Sequence, residues 1–294
     1  MLKNKTIGWI GTGVMGHGMV QHLIKDDYKV LVYNRTKSKT DDLVKLGAEY
    51  VDSIADISQK SDIIFTIIGD PQSVRETYFG SKGILEHTRS GSVLVDMTTT
   101  QPGLSLEIYE IAKQKNIQTL DAPVSGGDVG AINGVLSIMV GGEQETYQTI
   151  LPAFELMGKS IVYCGSAGFG QHTKMANQIS IAGNTIGLCE ALVYAEKNNL
   201  DLEKTIQVVS GGAGGSWGWN NLASRIIKDD LDTCFFIKHF VKDMRIVLDE
   251  CNKNNITLLG LALVHQLYTS LVSAGDGNLG TQALIKAIRK LNNI

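Results

Sequence analysis

The sequence predicts an α/β protein with a doubly wound, parallel sheet in its first half and an all-helical second half. Three observations carry that expectation. Short β-rich apolar runs alternate with helix-like stretches from residue 6 to about residue 163, the signature of parallel strands joined by crossover helices. From about residue 165 the β signal disappears and long helical patterns follow. All four prolines (Pro71, Pro102, Pro123 and Pro152) lie within the first 152 residues, which fits a second half built of helices, whose interiors exclude proline.

Taken in order, strands are expected at 6–10, 29–33, 62–68, 92–96, 117–121, 136–140 and 160–163, with amphipathic helices such as 16–25 and 37–46 between the earlier ones. The second half reads as helices over 171–198, 202–210, 219–227, 240–253, 260–274 and 281–292. The cluster Gly211-Gly212-Ala213-Gly214-Gly215 separates the second from the third. This organisation places two domains at 1–164 and 165–294. No internal repeat or low-complexity tract interrupts it.

Composition narrows the function classes. A chain of 294 residues is long enough for two domains and a substantial core. At 43% hydrophobic and 19% charged it is ordinary for a globular protein. A net charge of -3 argues against nucleic acid or an anionic membrane as the main partner. The longest apolar runs, such as 63–68, are far short of a membrane span, and a strand-like segment begins at Lys5 with no signal peptide before it. Cys164, Cys189, Cys234 and Cys251 form no CxxC pair and have no matching histidine cluster, so they read as buried reduced thiols of a cytoplasmic protein.

The first chemical signal is the run Gly11-Thr12-Gly13-Val14-Met15-Gly16, a G-x-G-x-x-G preceded by a strand and followed by a helix pattern. Gly11 permits the tight turn, Gly13 lets a pyrophosphate approach the backbone, and Gly16 allows close helix–strand packing. The helix N-terminus then faces the phosphates. The second strand ends at Asn34-Arg35-Thr36, where an NAD site usually carries an acidic residue for the ribose hydroxyls. Without a carboxylate there is no repulsion of a 2′-phosphate, and a guanidinium can grip it, so NADP is expected ahead of NAD. Backbone groups near Ile68 and Gly69 and the Thr99 hydroxyl end the third and fourth strands, at the sheet edge where such ligands bind.

Two further segments point to a substrate. After the fifth strand, Ser125-Gly126-Gly127 offers a hydroxyl and consecutive backbone N–H groups suited to a carboxylate. Lys174 falls in the first turns of a helix beside apolar positions (Ile179, Ile181, Ala182), where a partly desolvated lysine can donate or accept a proton. Alone, the first also fits an ordinary turn and the second an exposed lysine.

Four motifs together are more specific. Gly11 to Gly16, Asp121-Ala122-Pro123-Val124-Ser125-Gly126-Gly127, Gly168 to Gln178, and His239-Phe240-Val241-Lys242-Asp243 resemble, in order and spacing, the β-hydroxyacid dehydrogenase family. That family includes 3-hydroxyisobutyrate dehydrogenases, tartronate semialdehyde reductases and glyoxylate/succinic semialdehyde reductases. The resemblance covers essentially the whole chain. It implies a Rossmann-type N-terminal domain, a long interdomain helix, and an all-α C-terminal domain that supports a homodimer or homotetramer. It also implies a catalytic role for Lys174, substrate-carboxylate binding by Ser125, Gly126 and Gly127, and approach of Lys242 to the cofactor. One departure stands out. Many members carry asparagine four residues after the lysine, whereas here Asn177 is at +3 and Gln178 at +4. Both adjoin Lys174 on a helix, and the choice among semialdehydes stays open.

The reaction expected is reversible hydride transfer between a nicotinamide and the carbonyl carbon of a short, carboxylate-bearing aldehyde or ketone. Lys174 would protonate the developing alkoxide in reduction and take that proton back in oxidation. No metal is called for: the lysine charge supplies the electrophilic assistance, and the six histidines (His17, His22, His87, His172, His239, His265) form no ligand set. His239 and Asp243 read as an ordinary helix pair, and Trp217, Trp219, Phe235, Phe236 and Phe240 as packing residues. Three rivals carry contrary signals. A 6-phosphogluconate-type dehydrogenase needs a longer helical domain, an imine reductase usually lacks the lysine, and a silent NADP-binding scaffold would not keep Ser125-Gly126-Gly127 with Lys174.

Overall fold

In the computed structural model, which describes residues 2–294, β1 (Thr6–Ile10) is the strand from which the sheet winds in both directions. The chain divides into two units, Met1–Lys174 and Met175–Ile294. In the first, β1 is followed by α1 (Val14–Lys25), β2 (Lys29–Tyr33), α2 (Asp41–Lys45), β3 (Glu49–Tyr50), α3 (Ile54–Lys60) and β4 (Ile63–Thr66). Next come α4 (Pro71–Phe79), α5 (Ile84–His87), β5 (Val93–Asp96), α6 (Pro102–Gln114), β6 (Gln118–Asp121), β7 (Val124–Ser125) and α7 (Gly127–Asn133). The unit closes with β8 (Leu136–Gly142), α8 (Gln144–Met157), β9 (Gly158–Gly165) and the start of α9 (Phe169–Lys197).

The sheet order is β3-β2-β1-β4-β5-β6-β8-β7, with β9 beside β8. Strands β1 to β6 are parallel, so their carboxyl ends share one edge. The expectation of a parallel sheet needs one amendment: β8 runs antiparallel to β6 and β7. Strand alternation sorts the core onto two faces. Ile7, Trp9, Val30, Val32, Phe65 and Val95 fill one cluster, and Ile10, Leu31, Ile64 and Leu94 the other. Trp9 and Phe65, both fully buried, stack with ring centroids 5.2 Å apart. The indole N–H is satisfied by the Gly11 carbonyl at 3.0 Å, which ties the core to the first ligand loop.

Several expected boundaries move for local reasons. The two-residue strands β3 and β7 are too short to give an apolar run. The helix expected at 37–46 is a 3-10 turn at Lys37–Thr40 followed by α2, with Thr40 donating its hydroxyl to the Lys37 carbonyl. The strand expected at 62–68 stops at Thr66, which releases Ile67, Ile68 and Gly69 into a loop at the carboxyl edge.

The second unit holds the rest of α9, then α10 (Leu202–Gly211), α11 (Trp217–Asn221), α12 (Ala223–Ile226), α13 (Ile237–Lys253), α14 (Leu259–Ser273) and α15 (Leu284–Leu291). Its core includes Leu188, Leu192, Ile237, Phe240, Met244 and Ile285. Phe240 meets Tyr268 edge-on at 5.2 Å, and Arg289 on α15 pairs with Glu196 near the end of α9. Trp219 is buried, whereas Trp217 is 59% exposed at the first position of α11. Cys189 and Cys251 are buried, Cys164 and Cys234 half-buried, and all four are unpaired thiols. Among the described residues no helix is long and apolar enough to cross a membrane.

Candidate active site

Five loops leave the carboxyl edge of the sheet in the first unit. The residues expected to hold the cofactor and the substrate carboxylate lie on or beside them, apart from Lys242 on α13, while Lys174, Asn177 and Gln178 lie on α9. Gly11, directly after β1, has φ +99°. A Cβ there would sit 2.2 Å from the Ile67 carbonyl oxygen, and one on Gly16 would sit 2.0 Å from the Gly11 carbonyl oxygen. Neither position admits a side chain. Gly13 is different: a Cβ added there meets nothing within 4 Å. The open space lies at the N-terminus of α1, whose first turn carries no acidic residue and which Gly13 cannot cap with a side chain. An anion can therefore reach the helix start and its exposed N–H groups. Val14 is exposed, Met15 half-buried and Thr12 buried. Together these residues fit the diphosphate of a dinucleotide.

Asn34 links this loop to the end of β2. Its side-chain oxygen accepts the Thr12 N–H at 3.1 Å, and its Nδ2 donates to the Thr36 carbonyl at 2.9 Å. An amide can make both bonds, whereas an ionised carboxylate has no donor for the second. Arg35 and Thr36 are exposed just beyond, and Lys37 lies over the Tyr50 ring at 4.4 Å.

The loops after β4 and β5 are joined by the Ile68 N–H, which donates to the Thr98 hydroxyl oxygen at 3.0 Å. Gly69 leaves open space around it, and Asp70 caps α4 by accepting the Ser73 N–H at 2.9 Å. Thr99 is half-buried between the buried Thr98 and Thr100. The loop after β6 leads through Ser125, which is half-buried on β7, into two glycines with φ +130° and +66°. Side chains are strained at both angles, so Gly126-Gly127 is a backbone requirement. The α7 that follows docks on α1: a Cβ on Gly18 would sit 3.0 Å from Ala131 and Ile132 backbone atoms, and His22 Nε2 lies 3.0 Å from the Ala131 carbonyl oxygen.

Two residues that sequence reading passed over organise the start of α9. Asp121, 4% exposed at the end of β6, accepts the Gly168 N–H at 2.7 Å and the Gln171 N–H at 2.8 Å. Gln171 is fully buried, accepts the Thr100 N–H at 3.0 Å on Oε1 and donates from Nε2 to the Thr98 carbonyl at 2.8 Å. Burial pushes the Asp121 carboxyl up to about 7 against the pull of its two backbone donors, and the neighbouring Asp96 pushes in the same direction. Asp96, paired with Asp121 in the strand register, accepts from the Thr66 hydroxyl at 2.8 Å and the Thr98 N–H at 3.1 Å. Lys174 follows one turn later on α9 and is 5% exposed. In the sequence Asp121 opens the second motif and Gln171 lies within the third, but neither was given a role of its own.

In the second unit, Asn177 donates from Nδ2 to Gln178 Oε1 at 2.8 Å, and Gln178 donates from Nε2 to Asp243 Oδ2 at 2.6 Å. Lys242 on α13 forms an ion pair with Asp243 Oδ1 at 3.0 Å. Asp243 was read from sequence as the end of the fourth motif and as the helix partner of His239, with no role of its own. Here it is 1% exposed and serves as the shared acceptor of an amide and an ammonium.

Comparisons with known proteins give this arrangement its relatives. The model of the NAD binding domain of 6-phosphogluconate dehydrogenase matches residues 6–165. That of the NAD-binding region of NADP-dependent 3-hydroxyisobutyrate dehydrogenase matches residues 168–288. A probable 3-hydroxyisobutyrate dehydrogenase-like 1, mitochondrial, of Arabidopsis thaliana is 49% identical over 99% of this chain and 87% of its own. The 2-hydroxy-3-oxopropionate reductase of Escherichia coli (strain K12) is 34% identical over 98% of both chains. The solved structure of Mycobacterium tuberculosis 3-hydroxyisobutyrate dehydrogenase with L-serine superposes with a TM-score of 0.89 at 26% identity, covering 97% of this chain and 99% of the other.

Proposed function

Because the chain belongs to the 3-hydroxyisobutyrate dehydrogenase family of NAD(P)-dependent oxidoreductases, we propose that it interconverts a short β-hydroxy acid and its semialdehyde with Lys174 as the general acid and base. The observation that carries this reading is where Lys174 sits. It is buried one turn beyond a helix start bonded to Asp121, and Asp121 opens the segment leading to Ser125-Gly126-Gly127. When bound, the nicotinamide supplies or accepts the hydride. The Ser125 hydroxyl and the Gly126 and Gly127 amides take the substrate carboxylate. Lys174 Nζ, as ammonium, hydrogen-bonds the carbonyl oxygen and gives up a proton as negative charge grows there; the neutral amine takes a proton from the hydroxy acid in the other direction. Asn177 is the half-exposed member of the amide pair that follows, and Gln178 is the buried one that holds it.

NADP is the preferred cofactor in this reading, because an amide stands at Asn34 and Arg35 is exposed next to it. Gly11 to Gly16, Ile68, Gly69 and Thr99 complete the cofactor contacts, and Lys242 is assigned to the cofactor on the resemblance. Residues 1–164 form the cofactor domain and 165–294 the helical domain, close to the 6–165 and 168–288 matches. Four unpaired thiols support a reducing, cytoplasmic setting. A groove beside α9 and α14, with Leu259 79% and Leu263 57% exposed at its rim, supports a homodimer or homotetramer.

A second reading narrows the substrate to tartronate semialdehyde, glyoxylate or succinic semialdehyde, and Gln178 in place of asparagine favours it. The test follows NADPH and NADH consumption with succinic semialdehyde, glyoxylate, tartronate semialdehyde and methylmalonate semialdehyde. At least one should be turned over, and Lys174→Ala should lose on the order of 10²-fold or more in kcat. Turnover of none of them, or a full rate in Lys174→Ala, defeats the proposal.

A further inference from the structure

The buried polar network at the start of α9 has no place in the chemistry described so far. Its bonds run through three of the five loops at the carboxyl edge, those after β4, β5 and β6. The Ile68 N–H donates to the Thr98 hydroxyl oxygen, and the Thr98 carbonyl accepts from the Gln171 side chain, which also accepts the Thr100 N–H. The Gln171 backbone N–H then donates to Asp121, as does the Gly168 N–H. The loops after β4 and β5 are thereby fastened to the first turn of α9, and that turn to the end of β6. Asp121 and Ser125 are four residues apart, and so are Gly170 and Lys174.

The fit leaves no slack. A Cβ on Gly141 would lie 2.6 Å from Asp121 Oδ1 and 2.7 Å from the Gly170 N; one on Gly170 would lie 2.5 Å from both the Asp121 and Met139 carbonyl oxygens. Glycine at both positions lets the helix backbone rest directly on the strand ends. A carboxylate accepting two N–H bonds at a helix N-terminus is a charge-assisted contact that also opposes the positive end of the helix dipole. Gln171 fixes the rotation of the same turn, because its one side-chain amide supplies both the acceptor for Thr100 and the donor for Thr98.

We infer that Asp121 and Gln171 are positioning residues that clamp the first turn of α9 and thereby hold Lys174 in register with the cofactor and substrate loops. The inference rests on Lys174 being the proton-transfer group. Neither residue need touch the reacting atoms. A displacement of the Lys174 amine by about 1 Å suffices to lower the rate on the order of 10²-fold.

The test uses Asp121→Asn, Gln171→Met and Lys174→Ala, singly and with each clamp variant combined with Lys174→Ala, assayed on the best semialdehyde of the panel above. Asparagine accepts one N–H and turns a donor toward the other, while methionine keeps the length of Gln171 without its bonds. Each clamp variant should lower kcat roughly ten- to hundredfold with the KM for NADPH within about twofold of the parent. In the Lys174→Ala background, with methylamine added to replace the missing amine, the same substitutions should change the rate by less than about twofold, since the group they position is gone. A general loosening of the fold would lower that rescued rate as well, and such a result overturns the inference. So does a kcat within about twofold of the parent for both clamp variants. Should Asp121→Asn fail to fold, Gln171→Met decides the matter alone. Full activity of Lys174→Ala by itself marks the other failure, that of the proton-transfer assignment, and the inference falls with it.

Discussion

Gln178 donates its side-chain N–H to the Asp243 carboxylate at 2.6 Å, with 0% of Gln178 and 1% of Asp243 exposed. The same carboxylate holds the Lys242 ammonium at 3.0 Å. An acceptor shared by a buried amide and a cation is harder to remove than either donor, because its loss leaves the buried Gln178 N–H without this acceptor and takes a counter-charge from Lys242 as well. Asp243→Ala should therefore destabilise the protein by about 3 kcal/mol or more, and Gln178→Leu by less, on the order of 1–2 kcal/mol. Urea unfolding of the two variants against the parent checks the order. Equal losses, or a smaller one for Asp243→Ala, would contradict a shared acceptor.

Gly13 and Gly16 stand in the same glycine loop, yet their environments predict opposite consequences for an added methyl group. At Gly16 the methyl carbon lies 2.0 Å from the Gly11 carbonyl oxygen, and at Gly13 it meets nothing within 4 Å. Gly13 also has φ -70°, a value any residue adopts. Gly16→Ala should lower the melting temperature. Gly13→Ala should melt with the parent and yet bind NADPH at least about tenfold more weakly, since a close approach of phosphate to backbone is what glycine permits there. Calorimetry and fluorescence titration with NADPH separate the two. Parental NADPH affinity in Gly13→Ala would mean that the open space is not the diphosphate site.

At the end of β2 the proposed choice of cofactor rests on Asn34 and Arg35. Removing a guanidinium that grips a 2′-phosphate forfeits a charge-assisted contact of roughly 1.5–3 kcal/mol, so Arg35→Ala should raise the KM for NADPH about ten- to hundredfold and leave that for NADH unchanged. Asn34→Asp keeps an acceptor for the Thr12 N–H, loses the donor to Thr36 and adds negative charge, and should shift preference further toward NADH. Equal response of both cofactors to Arg35→Ala would sink the 2′-phosphate assignment.

The fold was legible in the sequence wherever one strand or helix could be read from its own residues. The parallel strands β1, β2, β4, β5 and β6 announce themselves as apolar runs, and the glycine loop by spacing. What remained hidden depends on partners distant in the chain. Asp121 meets Gly168 and Gln171 at separations of 47 and 50 residues, and Gln178 meets Asp243 at 65. No periodicity reports such pairings. The turn of β8 against β6 was equally invisible, because an antiparallel neighbour leaves the same alternation in a strand as a parallel one. Trp217 shows the converse error: a large aromatic beside a glycine cluster reads as core, but it opens a five-residue helix and stays in solvent.

The Asp121 carboxyl makes the last prediction, because its charge favours the helix start and disfavours the fold. Burial raises its pKa from 3.8 to about 7, and Asp96 on the adjacent strand adds to the rise. Tyr78, on α4, is the other titratable group lining the same small cavity, and its pKa too is pushed well above its usual value by burial. The folded protein thus holds a proton on Asp121 that the unfolded chain releases near pH 4. Between about pH 4 and 7 the native state binds more protons than the unfolded state, so stability must fall as pH rises through that window. The contribution is fully present below the unfolded pKa and lost above the folded one. Asp121→Asn has no such proton to lose, and the stability difference between parent and variant should move in the variant's favour from pH 5 to pH 8. Unfolding free energies of both proteins at the two pH values measure it, and the comparison cancels the other carboxylates. A difference that is flat, or that moves toward the parent, would show that Asp121 is ionised throughout the window. If the expected slope is found, kcat should climb over the same interval, because the carboxylate that forms as stability declines is the one that holds both N–H groups ahead of Lys174.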